Sequence, residues 1–120
     1  MEWPWIVILL VLGIGVFLMM RRVGASDPLP DAPNRLVIDA RSPSEFVSGH
    51  IPGAQNVPYD DVARMAKLIG DKDRAVIVYC LSGSRSGVAV RKLRQMGFTA
   101  IANGGGVYGL ARNLGVTLVR

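Results

Sequence analysis

A chain of 120 residues and 12.9 kDa, 50% hydrophobic and 19% charged, has room for one domain and is too apolar for a disordered tail. One cysteine and one histidine exclude an internal disulfide framework, a Cys-rich zinc site and a His-based metal site. The net charge of +5 comes from scattered basic residues, two of them paired at Arg21 and Arg22; it suits anionic small substrates or an anionic membrane surface and does not call for nucleic acid.

From Trp3 to Met20 (WPWIVILLVLGIGVFLMM) no residue is charged. As a helix this run rises about 27 Å, just enough to cross the hydrocarbon core. Trp3 and Trp5 mark one interface, and Arg21 and Arg22 close the other end. The run predicts a transmembrane helix over 3–20, in contact with the lipid bilayer. A cleavable export signal wants positive charge ahead of the run, where only Glu2 stands, so a retained single-pass anchor is expected. The basic C-terminal flank predicts a cytoplasmic domain, with an exported or periplasmic one as the alternative. Gly13 and Gly15 lie inside the span and suit a close helix contact rather than a nucleotide loop. Residues 21–34, the basic flank followed by the proline-rich VGASDPLPDAPN, read as a semi-extended linker holding a domain of residues 35–120 off the bilayer.

Within that domain, Leu36-Val37-Ile38 ending at Asp39 and the stronger run Ala75–Tyr79 (AVIVY) read as strands buried on both faces. Thr99–Ala102 and, more weakly, Ala54–Val57 are further strands. Asp60 or Asp61 caps a predicted helix whose Val62, Met65, Ala66 and Ile69 share a face and which Gly70 ends. A second helix starts near Ser86, packs Ala89, Leu93 and Met96, and stops at Gly97; a third covers Tyr108–Asn113. This alternation predicts an α/β fold with a mostly parallel sheet and a site beyond the carboxyl ends of its strands, which points to Cys80.

Cys80 leaves a strand, Gly83 permits a tight turn, and Arg85 stands just before the helix. Such a loop aims successive backbone N–H groups at one point, an anion nest at a helix N-terminus. A thiolate there gains from the dipole, with thiol pKa values falling from about 8.5 to roughly 3.5–7.5 at such sites. Arg85 adds a planar donor fork for an oxyanion. Leu81, Ser82, Gly83, Ser84, Arg85 and Ser86 are therefore candidate substrate-binding residues around a nucleophilic Cys80. Asp39, Arg41 and Glu45 read as ion-pairing residues organising a strand end, and His50, before a Pro-Gly turn, as a structural hydrogen-bonding residue. Arg91, Lys92 and Arg94 read as the wet face of a helix.

Cys80-Leu81-Ser82-Gly83-Ser84-Arg85-Ser86 resembles the C-x-x-G-x-R-S active-site loop of rhodanese-type sulfurtransferases. Asp39-Ala40-Arg41, Glu45-Phe46 and Gly49-His50-Ile51-Pro52-Gly53-Ala54 resemble the same family's D-x-R, E-F and G-H-I-P-G-A segments, in the same order. The resemblance runs from about Asn34 to the C-terminus and is similar to the single-domain, phage-shock-associated type. It implies a parallel five-stranded sheet with helices on both faces and a persulfide on Cys80 ringed by backbone N–H groups. It also implies a small anionic sulfur donor such as thiosulfate, an external thiol or cyanide acceptor, and no cofactor. The linker stands where that family usually has an extra strand and helix, and no tryptophan follows Gly104-Gly105-Gly106. Two rivals are a non-catalytic rhodanese-like recruiting module and a cysteine phosphatase or arsenate reductase. The latter usually place five residues between Cys and Arg; four stand here, Leu81–Ser84.

Overall fold

The computed structural model describes the backbone of residues 3–22 and 26–120, and the side chains of 3–16 and 26–120. The elements run α1 (Trp3–Arg22), β1 (Leu36–Asp39), α2 (Pro43–Ser48), β2 (Gln55–Asn56), α3 (Val62–Ile69), β3 (Val76–Cys80), α4 (Ser84–Gln95), β4 (Ile101–Gly106) and α5 (Val107–Leu114).

The four strands form one sheet in the order β2-β1-β3-β4, with every pair parallel. β3 lies in the middle and is buried along its whole length, which is why it reads as an unbroken apolar run. Its side chains alternate between two cores. Val76, Val78 and Cys80 face α3 and α4, joining Met65, Ile69, Ala89, Val90 and Leu93. Ile77 and Tyr79 face α5, joining Ile51, Val107 and Leu110. The sheet is thus covered on both faces and carries Cys80 at its carboxyl end.

A fifth strand is not found among the described residues. At the open edge of β4, Asp27 N–H donates to Asn103 O (2.8 Å), and the Asp27 carboxylate accepts from Asn103 N–H (2.8 Å) and Arg94 (3.0 Å). Leu29 packs against the α5-side core. From residue 26 onward the linker therefore lies along the domain instead of standing free, because it satisfies backbone groups that β4 would otherwise leave unpaired.

Three sequence expectations shift. α4 begins at Ser84, not Ser86, because Gly83 takes the left-handed conformation (φ 94°) and acts as its N-cap, which puts Arg85 in the first turn. Met96 ends exposed rather than packed. β4 starts two residues later than Thr99 and continues through Gly104–Gly106. A Cβ on Gly104 would lie 2.7 Å from Ile77 Cγ2, and one on Gly106 2.5 Å from Leu81 O, so the strand passes this close to its neighbours only as glycine. α2 was not expected; Ser42 starts it with a reciprocal capping box to Glu45, and Pro43 occupies its first turn.

The expected membrane-crossing helix over 3–20 is not supported: no helix among the described residues is long and apolar enough to cross a membrane. The large apolar side chains of α1, from Trp3 to Val16, are 41–72% exposed. Glu2, the side chains of Arg21 and Arg22, and linker residues 23–25 lie outside the described residues.

Candidate active site

β3 delivers Cys80 to the end of the sheet, and the chain then folds back over it. Gly83 N–H donates to Cys80 Sγ at 3.0 Å, and Ser86 Oγ lies 3.3 Å from the same sulfur. Cys80 itself is fully buried, at the floor of the loop and at the N-terminus of the twelve-residue α4. Burial pushes its thiol up. The Ser86 hydroxyl and the amides of Ser86, Ser82 and Gly83 together outweigh that, and the net displacement is downward. The helix dipole acts in the same direction. The floor of this loop is built to hold sulfur as an anion.

Arg85 does not stand free. Its guanidinium makes a bidentate pair with Glu45 (2.8 and 2.9 Å), each side chain about 30% exposed. The guanidinium holds the Glu45 carboxyl down at about 2. Glu45 is fixed from its other side by the Ser42 amide and hydroxyl (3.2 and 3.1 Å), so one carboxylate caps α2 and braces the loop arginine. Leu81, Ser82 and Ser84 form the exposed rim, with the Ser82 and Ser84 hydroxyls 3.1 Å apart.

Asp39 and Arg41 form a separate, buried unit. Arg41 binds the Asp39 carboxylate through Nε and Nη2 (2.7–3.1 Å) and donates to Gly49 O at 2.6 Å, tying the end of β1 to the end of α2. His50 stacks on Phe46 with centroids 3.7 Å apart, and its Nδ1 lies 2.9 Å from Phe46 O. The structure thus gathers Cys80, Gly83, Arg85, Ser86 and Glu45 at one place and sets Asp39, Arg41 and His50 into the supporting layer.

A rhodanese-like domain model matches residues 25–111. The chain belongs to the rhodanese-like family, and it is a rhodanese-type sulfurtransferase. It is 40% identical over 75 residues to the thiosulfate sulfurtransferase PspE of Escherichia coli, covering 62% of this chain and 72% of that one. It is 36% identical over 93 residues to the thiosulfate:glutathione sulfurtransferase of Saccharomyces cerevisiae, covering 68% and 63%. A solved E. coli rhodanese with bound anions superposes with a TM-score of 0.65 at 36% identity, covering 72% of this chain and 98% of that one.

Two features of this rhodanese-like site escape a reading of the sequence alone. One is the partner of Arg85, since Glu45 lies 40 positions away and is joined to it only by the fold. The other is Asn103, buried on β4, whose amide touches both Gly83 O (3.0 Å) and Ser86 Oγ (2.8 Å). The available signal was a polar residue set between an apolar pair and three glycines, Ile101-Ala102-Asn103-Gly104-Gly105-Gly106.

Proposed function

We propose that this chain moves a sulfane sulfur from thiosulfate, or a similar small anionic donor, to an external thiol or cyanide through a persulfide on Cys80. One observation carries the reading: Cys80 Sγ sits in a nest that donates hydrogen bonds to it at a helix N-terminus. The Cys80 thiolate attacks the outer sulfur of the donor, the donor's S–S bond breaks, and its electron pair leaves with sulfite. The outer sulfur of the persulfide then carries the negative charge and extends toward the rim amides. An acceptor thiolate or cyanide attacks that sulfur, and Cys80 departs again as thiolate. Arg85, oriented by Glu45, attracts the anionic donor at the rim. A second cysteine is absent from the sequence, so the acceptor comes from outside the chain. The E. coli thiosulfate sulfurtransferase and the yeast thiosulfate:glutathione sulfurtransferase, as relatives, support thiosulfate as donor and a thiol as acceptor.

The reading includes a membrane tether through the apolar segment 3–20, with Asp39, Arg41 and His50 as supporting residues. The tether rests on the uncharged run, its tryptophans and its basic flank, and on the exposed apolar side chains of α1.

The test is steady-state transfer from thiosulfate to cyanide by the full-length chain. Expected are thiocyanate formation with ping-pong kinetics and its loss in Cys80→Ser. Turnover that survives Cys80→Ser, or hydrolysis of an aryl phosphate in its place, contradicts the reading.

A further inference from the structure

Asn103 holds the loop from beneath, and the orientation of its amide is forced. Nδ2 faces Gly83 O, which can only accept, at 3.0 Å; Oδ1 faces Gly105 N–H, which can only donate, at 3.0 Å. Oδ1 therefore also faces Ser86 Oγ, at 2.8 Å. That hydroxyl has a single proton and three acceptors within reach: Asn103 Oδ1, Gly83 O at 3.1 Å and Cys80 Sγ at 3.3 Å. Space has been cleared for this amide, since a Cβ on Gly87 would stand 3.3 Å from Nδ2. The backbone of Asn103 is in turn locked on both sides by Asp27.

We propose that Asn103 is a positioning residue for sulfur transfer, setting the charge state of Cys80 through Gly83 and Ser86. It touches no reacting atom. Its Nδ2–H fixes the Gly83 peptide in the left-handed turn that aims Gly83 N–H at Sγ. Its Oδ1 gives the Ser86 proton a second place to rest. When Cys80 is a thiolate, the charge draws that proton to sulfur. When the inner sulfur becomes neutral in the persulfide, the proton returns to Oδ1, and no buried acceptor or donor is stranded at either stage. The inference rests on the persulfide reading, but its test does not require turnover.

The test is the pH dependence of iodoacetamide alkylation of Cys80 in the full-length chain. Wild type should show a thiol pKa below the ordinary 8.5. Asn103→Ala should raise it by about one pH unit, because the released Gly83 turn weakens the Gly83 N–H hydrogen bond to the thiolate. Ser86→Ala should raise it too, and the double variant should depart from the sum, because part of the Asn103 effect passes through Ser86. Ile69→Ala, in α3 and remote from the loop, should lower the melting temperature without moving the thiol pKa, which separates positioning from general loosening. If Asn103→Ala does not fold, the unaltered chain still decides: the Asn103 side-chain amide resonances should titrate with Cys80 in 15N spectra. An unshifted thiol pKa in Asn103→Ala, full additivity with Ser86→Ala, or amide resonances indifferent to Cys80 ionisation overturns the inference. An ordinary thiol pKa in wild type instead overturns the reading of Cys80 as an activated nucleophile.

Discussion

Replacing Arg85 by alanine removes one of two facing charges at the rim of the loop and leaves Glu45 behind. The pair is bidentate at 2.8 and 2.9 Å; without Arg85 the Glu45 carboxyl loses the main cause of its low pKa and returns toward the ordinary carboxylate range, so the stranded group is still ionised at neutral pH. The donor is an anion. The single variant therefore loses an attraction and gains a repulsion. The lost charge-assisted contact is on the order of 2–4 kcal/mol at a confined site. With both side chains about 30% exposed, the repulsion is screened to about 1 kcal/mol. We expect Arg85→Ala to lower kcat/KM for thiosulfate by a factor on the order of 10²–10⁴, and the double variant Arg85→Ala/Glu45→Gln to regain about fivefold. Glutamine can still complete the capping box of α2, so the recovery reports charge rather than refolding. The thiosulfate–cyanide assay at two ionic strengths reads both effects, and the fivefold gain should shrink with added salt. A double variant no faster than Arg85→Ala refutes the idea that the donor feels Glu45.

Gly106→Ala should slow sulfur transfer and cost about 1–3 kcal/mol of stability, because the new methyl would meet Leu81 O at 2.5 Å and push the loop away; unchanged turnover would rule this out. Glu45 has a folded pKa depressed from 4.5 to about 2, so its contribution to stability is complete above about pH 4.5 and is lost as the pH falls toward 2. Melting temperatures across that window should decline less steeply in Glu45→Gln than in wild type. Asp27→Ala, which strips Asn103 N–H of its acceptor and leaves Arg94 only its bond to Ile101 O, should cost about 1 kcal/mol, or about 5 °C in melting temperature; an unchanged melting curve would mean the linker is not docked in solution.

How much of this was legible in the sequence depends on how local each feature is. β1 and β3 were readable because parallel strands buried on both faces need continuous apolar runs, and α3 because Asp61 and Gly70 bracket its periodic face. The loop from Cys80 to Ser86 was readable because its chemistry lies within seven consecutive residues. α2 has no buried residue and hence no periodicity; only its capping box could have revealed it. The end of β4 was hidden because glycines signal turns, and only the proximity of Ile77 and Leu81 explains why they belong in a strand. The docking of Asp27 on β4 joins residues 76 positions apart, as the brace from Glu45 to Arg85 joins residues 40 apart, and no local pattern encodes either.

The central claim is a sulfur carried covalently on Cys80, and intact-mass measurement tests it most directly. The full-length chain incubated with thiosulfate, then freed of it, should gain the mass of one sulfur atom. Brief exposure to cyanide should remove that sulfur and release a matching amount of thiocyanate, and Cys80→Ser should gain nothing. A wild-type chain that turns over thiosulfate and cyanide without ever carrying the extra sulfur, or a Cys80→Ser chain that carries it, would contradict the account.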